Sequence, residues 1–168
     1  MAGMPRHRVL TVAAIALLVL VLDQASKASA RGGLTPGHKV AVIPGWLWFQ
    51  LARNSGATLG LGSGHNELFA ALALIIVVAI AALALRGNIG GMLGIAALGA
   101  IAGGAIGNLV DRLRLGSVTD FVEVRYWPTD FNLADAAIRL GVALFLLALL
   151  LEWTRRPRRA SVGGERER

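Results

Sequence analysis

Two aspartates in this chain have the setting expected of an acid and base pair. Asp120 lies in the run V-T-D-F and Asp135 in the run F-N-L-A-D, and both adjoin segments apolar enough to cross a membrane. A carboxylate near hydrocarbon costs about 2.5–3.5 kcal/mol on insertion scales, so ionisable residues there are functional candidates by default. If the two side chains lie close together, they cannot both ionise cheaply, and one can serve as acid while the other serves as base.

The composition indicates a membrane protein. Of the 168 residues, 55% are hydrophobic and 16% are charged, whereas about 25% are charged in an average soluble domain. Cysteine is absent, and His7, His38 and His65 are far apart in the sequence. These features leave no thiolate nucleophile and no spacing typical of metal ligands, so we expect neither a metal nor another cofactor.

Four segments are predicted to span the membrane as helices, at about 9–26, 68–86, 89–111 and 134–153. A helix needs about 20 residues to cross about 30 Å of hydrocarbon. An even number of spans puts both termini on one face, and basic residues at the N-terminus, between the second and third spans and in the tail favour the cytoplasm for that face. Seven other basic residues fall on the opposite side, namely Lys27, Arg31, Lys39, Arg53, Arg112, Arg114 and Arg125. We therefore predict a single membrane-embedded domain, residues 1–168, with cytoplasmic termini and with the aspartates near the extracytoplasmic surface.

The N-terminus also has a second interpretation. An apolar run followed by small residues at 28–30 imitates a cleavable secretory signal. Asp23 and Lys27 lie between these two features and are spaced to pair on a helix, which favours retention of the segment as the first span. N-terminal sequencing distinguishes the alternatives, because a mature chain that begins at Arg31 would contradict the predicted topology.

The segment at about 28–66 is predicted to form a small extracytoplasmic sheet. The runs V-A-V-I at 40–43 and W-L-W-F-Q-L at 46–51 flank a Pro-Gly turn. Trp46 and Trp48 are typical of a membrane interface, where they anchor a domain; alternatively, the sheet cradles an extended peptide at its strand edge. The predicted fold class is an all-α membrane protein, with four transmembrane helices and a small extracytoplasmic β-sheet cradle.

The C-terminal tail at 155–168 is rich in arginine and is predicted to lie in the cytoplasm. The chain has a net charge of +7, to which this tail contributes. We interpret the tail as a basic segment that lies against anionic lipid headgroups. We expect no nucleic acid as a partner.

The third span carries small and polar residues in a regular pattern. Gly99, Gly103 and Gly107 recur every fourth residue, which permits close packing of helices. A separate face carries Gly104, Asn108 and Asp111. Asp111 and the adjacent Arg112 either support a site, or simply face water or pair with neighbours at the end of the span.

Polar residues elsewhere also have two interpretations. Asn54 lies in a glycine-rich turn, where it either organises the site or only stabilises the turn. Asn132 is a candidate N-cap for the fourth helix, whose macrodipole would stabilise Asp135 in its first turn. Arg139, four residues after Asp135, is positioned to neutralise that aspartate, which would make Asp135 a structural residue.

Five motifs, in order along the chain, resemble those of lipoprotein signal peptidase, also called signal peptidase II. They are D-Q-A-S-K at 23–27, N-S-G-A at 54–57, G-G-A-I-G-N-L-V-D-R at 103–112, V-T-D-F at 118–121 and F-N-L-A-D at 131–135. Two features depart from the family pattern. Leu59 stands where the family usually has an aromatic residue, and the connection between Asp120 and Asp135 is short, which affects the expected shape of a substrate lid.

The resemblance implies a bacterial inner-membrane aspartic endopeptidase. Such an enzyme removes the signal peptide from a diacylglyceryl-modified prolipoprotein just before the lipidated cysteine, with Asp120 and Asp135 as its catalytic dyad. The expected partners are this substrate and membrane lipids, without an obligate protein partner. Supporting or substrate-binding roles are implied for Asp23, Lys27, Asn54, Gly56, Gly104, Asn108, Asp111, Arg112, Asn132 and Arg139.

Three other classes are weighed against this interpretation. A serine and lysine mechanism at Ser26 and Lys27 is disfavoured, because adjacent helical residues diverge by about 100 degrees. A proton-coupled transporter would also use intramembrane acids, but four short spans without an internal repeat disfavour it. A purely structural membrane scaffold is the third. Loss of cleavage in a folded dyad variant excludes both non-enzyme alternatives.

Overall fold

Four long helices and three strands make up the protein in the computed structural model, which describes residues 5–56, 64–86 and 91–155. In chain order they are α1 (Arg6–Gly33), β1 (Val40–Ile43), β2 (Leu47–Asn54), α2 (Asn66–Arg86), α3 (Gly91–Leu115), β3 (Val118–Val124) and α4 (Leu133–Arg155). Each of the four helices is long and apolar enough to cross a membrane. The predicted fold class is therefore confirmed.

Large apolar side chains cover the outside of the helices. Leu17, Ile75 and Leu146, on three different helices, are each about 60% exposed, at 60%, 61% and 60% respectively. In water such an apolar surface would promote aggregation, whereas in a bilayer it is solvated by the lipid tails. The exposed surface thus supports a membrane location independently of helix length.

Helix α1 is longer than the predicted span, which was expected to end near residue 26. It contains 28 residues and is therefore about 42 Å long at 1.5 Å per residue, compared with about 30 Å for the hydrocarbon core. The additional turns continue to Gly33, and Arg31 in the last turn bonds to Thr119 Oγ1 at 3.0 Å. The end of α1 is thus part of the sheet-bearing end of the molecule.

Helix α3 lies at the centre and contacts the other three helices. A Cβ atom added at Gly103 would lie 2.5 Å from the carbonyl oxygen of Ala16 in α1, and one at Gly104 would lie 2.5 Å from the carbonyl oxygen of Ala134 in α4. Side chains at these positions would push both neighbours away. The predicted close packing of the glycine-bearing third span is confirmed.

The strands form one antiparallel sheet in the order β1-β2-β3. The predicted strand pair at 40–43 and 46–51 is confirmed as β1 and β2, but the sequence analysis missed β3. In the register of β2 with β3, Ala52 lies opposite Asp120 and Asn54 opposite Val118. The third strand matters most for function, because it carries Asp120 next to Asn54.

Candidate active site

The first turn of α4 holds Asp135 by a reciprocal cap. Asn132 Oδ1 accepts a hydrogen bond from the backbone N–H of Asp135 at 2.9 Å, and Asp135 Oδ2 accepts one from the backbone N–H of Asn132 at 3.4 Å. This is the geometry of a capping box, and the helix macrodipole also favours a negative charge there. The predicted N-cap is confirmed, and it fixes the direction of the Asp135 carboxylate.

Strand β3 places Asp120 beside this turn. The backbone N–H of Thr119 donates to Asp111 Oδ2 at 2.9 Å, which ties the start of the strand to the end of α3. After Asp120 the chain turns and comes back, because Phe131 pairs with Val122 through hydrogen bonds of 2.9 Å and 3.0 Å. The short connection noted in the sequence therefore returns the chain to β3 just before Asp135.

Three asparagine amides surround the two carboxylates. Asn132 Nδ2 donates to Asp120 Oδ1 at 2.7 Å and Asn54 Nδ2 donates to Asp120 Oδ2 at 3.1 Å. Asn108 Nδ2 donates to Asp135 Oδ1 at 2.8 Å and accepts from Asn132 Nδ2 through its own oxygen at 3.3 Å. Residues from β2, α3 and the α4 cap thus bring Asp120 and Asp135 into one network.

The orientation of each amide is fixed by its oxygen. The oxygen of Asn54 accepts from the backbone N–H of Gly56 at 3.0 Å, that of Asn132 from the backbone N–H of Asp135, and that of Asn108 from Lys27 Nζ at 2.8 Å. All three partners can only donate. Each amide must therefore turn its NH₂ group toward a carboxylate.

Burial makes Asp120 a weak acid. Its side chain is 2% exposed, and burial, followed by the neighbouring charge of Asp135, raises the pKa of Asp120 from 3.8 to about 7. The hydrogen bonds from Asn54 and Asn132 act in the opposite direction. A carboxyl group that changes protonation near neutral pH is suited to acid and base chemistry, and an interacting pair titrates as a unit.

The site opens into a cleft of about 380 Å³. Asp135 lines this cleft, whereas Asp120 is buried and is not part of its lining. One wall is apolar and comes largely from α2, through Phe69, Leu72 and Ile76. The polar lining consists of Asn54, Asn108, Arg112, Thr129, Asp130, Asp135 and Arg139.

A buried ionic cluster lies on the other side of Asn108. Lys27 Nζ lies 2.8 Å from Asp23 Oδ2 and 3.7 Å from Asp111 Oδ2, and all three side chains are at most 1% exposed. The pairing of Asp23 with Lys27 that their spacing predicts is confirmed. Asp23 Oδ1 also accepts from the backbone N–H of Ala134 at 2.9 Å, which connects α1 to the first turn of α4.

The remaining supporting residues lie around the cleft. Arg112 donates to the carbonyl oxygen of Gly56 at 2.9 Å, and its guanidinium lies over the ring of Phe69. Arg112 thus faces the cleft, and the alternative in which it only faces water is wrong. Gly104 provides room for the α4 backbone, as described above.

The alternative in which Arg139 forms an ion pair with Asp135 is not seen among the described residues. In the described ranges, the ion pairs do not include one between these two residues. The Arg139 guanidinium instead lies 5.1 Å from the ring centre of Trp127 and 5.3 Å from that of Phe131. The aromatic rings attract the cation and leave the Asp135 carboxylate to the asparagine network.

Sequence reasoning missed a polar pair at the edge of the cleft. Gln50 Nε2 donates to Asp130 Oδ2 at 2.7 Å, and burial raises the pKa of Asp130 above its ordinary value. Asp130 directly precedes the F-N-L-A-D motif and was available as a signal. The sequence could not indicate Gln50, because the position of its side chain depends on a register shift of β2 against β3 between Phe49 and Ala52. Leu59 lies outside the described residues, as does most of the basic tail.

The carboxylates of the site are not arranged as a set of metal ligands. In the segments 5–56, 64–86 and 91–155, no group of three or more His, Asp or Glu side chains has the geometry to hold a metal ion. The acidic residues of the site are instead occupied by amides, backbone N–H groups and Lys27.

The fold and the site together define a multi-pass membrane protein with two interacting carboxyl groups beside a cleft. Comparison with known proteins identifies its family. A family model described as "Signal peptidase (SPase) II" matches residues 15–151. The chain belongs to the signal peptidase II family, a family of bacterial membrane proteases.

Individual relatives and solved structures agree with this assignment. The "Lipoprotein signal peptidase" of Syntrophomonas wolfei is 39% identical over 144 residues, which are 86% of this chain and 95% of the relative. That of Dehalococcoides mccartyi is 42% identical over 78% of this chain and 83% of the relative. A solved structure described as a "Bacterial membrane enzyme structure by the in meso method" has a TM-score of 0.84 and 28% identity, and the match covers 99% of both chains.

Proposed function

We propose that this protein removes signal peptides from diacylglyceryl-modified prolipoproteins by hydrolysing the peptide bond just before the lipidated cysteine. The family assignment supports the substrate class. The observation that carries the mechanism is the pair Asp120 and Asp135, which three asparagine amides hold beside an apolar-walled cleft. The enzyme is thus an aspartic endopeptidase.

The two aspartates take different roles because their surroundings differ. Asp135 lines the cleft and lies at the positive end of the α4 macrodipole, which favours its ionised form. Asp120 is buried and has a raised pKa, so it retains the shared proton more readily. Asp135 is therefore the general base, and Asp120 is the acid.

The reaction follows from these roles. Asp135 removes a proton from a water molecule as the water oxygen bonds to the scissile carbonyl carbon, while Asp120 gives its proton to the carbonyl oxygen. A tetrahedral diol results. The C–N bond then breaks as the proton on Asp135 passes to the leaving nitrogen and a diol hydroxyl returns a proton to Asp120. The products are a new carboxyl terminus and an amino group on the lipidated cysteine.

The cleft provides suitable surfaces for such a substrate. Its apolar wall on α2 fits the hydrophobic part of a signal peptide or the acyl chains, which can remain in the bilayer between the helices. The strand-bearing end carries the polar lining and adjoins the peptide bond to be cut. We place this end at the extracytoplasmic surface, with both termini in the cytoplasm, on the basis of the basic segments that flank the spans.

Purified protein in detergent tests this function directly. It is incubated with a prolipoprotein that carries a diacylglyceryl cysteine, and the products are identified by mass spectrometry. We expect a released signal peptide and a mature chain that begins at the modified cysteine. The same prolipoprotein without the lipid should be cut far more slowly. Equal cleavage of both substrates, or cleavage at another bond, would contradict the proposed specificity.

A further inference from the structure

We propose that Lys27 is a positioning residue that acts through Asn108 to keep Asp135 the base of the dyad. This inference rests on the proposed function and deepens it. Lys27 is separated from Asp135 by the Asn108 amide, so it has no direct contact with the reacting groups. Its effect, together with a longer bond of 3.3 Å from Asn132 Nδ2 to the same Asn108 oxygen, is to determine which end of that amide faces the carboxylate.

The geometry leaves Asn108 one orientation. The Lys27 side chain is 0% exposed, and its ammonium lies 2.8 Å from Asn108 Oδ1. An ammonium has three donors and no acceptor, so it can only bond to the oxygen end of the amide. The NH₂ end must then face Asp135 Oδ1, to which it donates at 2.8 Å.

The orientation has a chemical consequence at Asp135. The Asp135 oxygen that accepts this N–H carries no proton. A hydrogen bond from an N–H donor also stabilises the ionised form of a carboxylate. If the amide turned over, its oxygen would face the carboxylate oxygen and would favour a proton on Asp135. Through this amide orientation, Lys27 favours the ionised form of Asp135 and so leaves the shared proton to Asp120. The charge of Lys27 itself lowers the pKa of Asp120, but less than burial and the charge of Asp135 raise it.

The lysine itself is held rigidly. Asp23 Oδ2 lies 2.8 Å and Asp111 Oδ2 lies 3.7 Å from its ammonium. Asp23 is in turn bonded to the backbone N–H of Ala134, next to Asp135, and a Cβ at Gly107 would lie 2.5 Å from Asp23 Oδ2. These contacts prevent the ammonium from moving away from Asn108.

The stability of the fold alone would not require the charged ammonium of Lys27. Replacing a buried ion pair by apolar groups of similar volume is often neutral or stabilising, whereas removing only one partner is strongly destabilising. The informative variant is therefore the double substitution Lys27→Met with Asp23→Asn, which removes one positive and one negative charge together. The pair formed by Asp111 and Arg31, with an N–O distance of 3.8 Å, remains.

The test is a kinetic cycle on purified, folded protein with the diacylglyceryl prolipoprotein. We expect the double variant to lose about 100-fold in kcat, the loss typical of a misplaced catalytic group, with KM changed less than threefold. In an Asn108→Leu background the same two substitutions should cause little further loss in kcat, because residues that act as a unit are not additive. Lys39→Met, at an exposed lysine bonded to Glu123, is the matched control and should retain wild-type kinetics.

The outcomes separate this inference from the proposed function. An unchanged kcat in the double variant, or losses that multiply in the Asn108→Leu background, would overturn the role of Lys27 while leaving the dyad intact. If the double variant does not fold, Asn108→Asp retains the lysine contact but removes the N–H donor, and full activity in that variant would also overturn it. Activity in the dyad variants themselves would instead refute the proposed function.

Discussion

Asn132 caps helix α4 with its amide oxygen and donates to Asp120 with its amide nitrogen, at 2.7 Å. One side chain therefore joins the start of the helix that carries Asp135 to the strand that carries Asp120. The relative position of the two carboxylates therefore depends on this amide.

Both dyad carboxyl groups are expected to be essential. Asp120→Asn and Asp135→Asn keep the volume of each side chain but remove its ability to transfer a proton, and such catalysis is typically worth about 10²- to 10⁴-fold. Each variant should lose at least about 10²-fold in cleavage rate, and the double variant should be little worse than either. The exposed Glu67→Gln is the matched control. Activity should persist in chelators; a folded asparagine variant with near wild-type activity would contradict the mechanism.

The two functions of Asn132 can be separated. Serine is as good an N-cap as asparagine, but its hydroxyl is too short to replace the second bond to Asp120. Asn132→Ser should therefore keep the cap but lose most activity and the bond to buried Asp120, whereas Asn132→Ala should lose about 1 kcal/mol of stability more than the serine variant, from the missing cap. Thermal unfolding and cleavage rate, measured on the same samples, check this. Equal activity in the serine variant would mean that only the cap matters.

The fall in cleavage rate at alkaline pH should follow the loss of the proton from Asp120. Because its pKa is raised to about 7, kcat should fall as pH rises above about 7 and Asp120 loses its proton. Asn54→Ala removes a hydrogen bond that lowers this pKa, so it should move this fall to higher pH while reducing the maximal rate. A fall that stays in place, or moves to lower pH, would show that another group controls it.

The Asp120 carboxyl group should also make the free energy of unfolding decrease as pH rises. Between about pH 4 and pH 7, the unfolded chain releases this proton while the folded protein keeps it. The stabilisation is therefore complete at low pH and is lost as pH rises through the folded pKa of about 7. Asp120→Asn should flatten this part of the curve of unfolding free energy against pH.

The membrane orientation can be checked with single cysteines, because the natural chain contains none. Val40→Cys, on the exposed strand β1, should react with a membrane-impermeant maleimide in intact cells. Ala160→Cys, in the basic tail, should react only after the cells are permeabilised. The opposite pattern would reverse the proposed topology and place the site in the cytoplasm.

Gly107 is expected to tolerate no side chain. A Cβ there would lie 2.5 Å from Asp23 Oδ2, and overpacking of this kind costs about 1–3 kcal/mol. Gly107→Ala should lower both stability and activity, because Asp23 also holds Ala134. Gly32→Ala, which has open space around its Cβ, is the control. Wild-type behaviour of both variants would show that α1 can move away from α3 without harm.

The spans and the two aspartates were predictable because hydrophobic length and charge placement are properties of short segments. Asn132 was also predictable as a cap, since capping acts over three residues. The third strand was not, because β3 is stabilised by pairing with residues more than sixty positions earlier. The contacts of Arg139 could not be predicted from its spacing to Asp135. They depend on where Trp127 and Phe131 lie in the fold, because the rings of these residues attract the guanidinium away from Asp135.

The site is assembled from widely separated parts of the chain: Lys27 in α1, Asn54 in β2, Asn108 in α3, Asp120 in β3 and Asp135 in α4. Translation delivers these parts in that order, and Asp135 arrives last. A nascent chain with only three helices in the bilayer lacks Asp135 and Asn132, so of the two amides bonded to Asp120 it contains only Asn54. The proposed dyad is therefore complete only after the final helix has been synthesised and inserted.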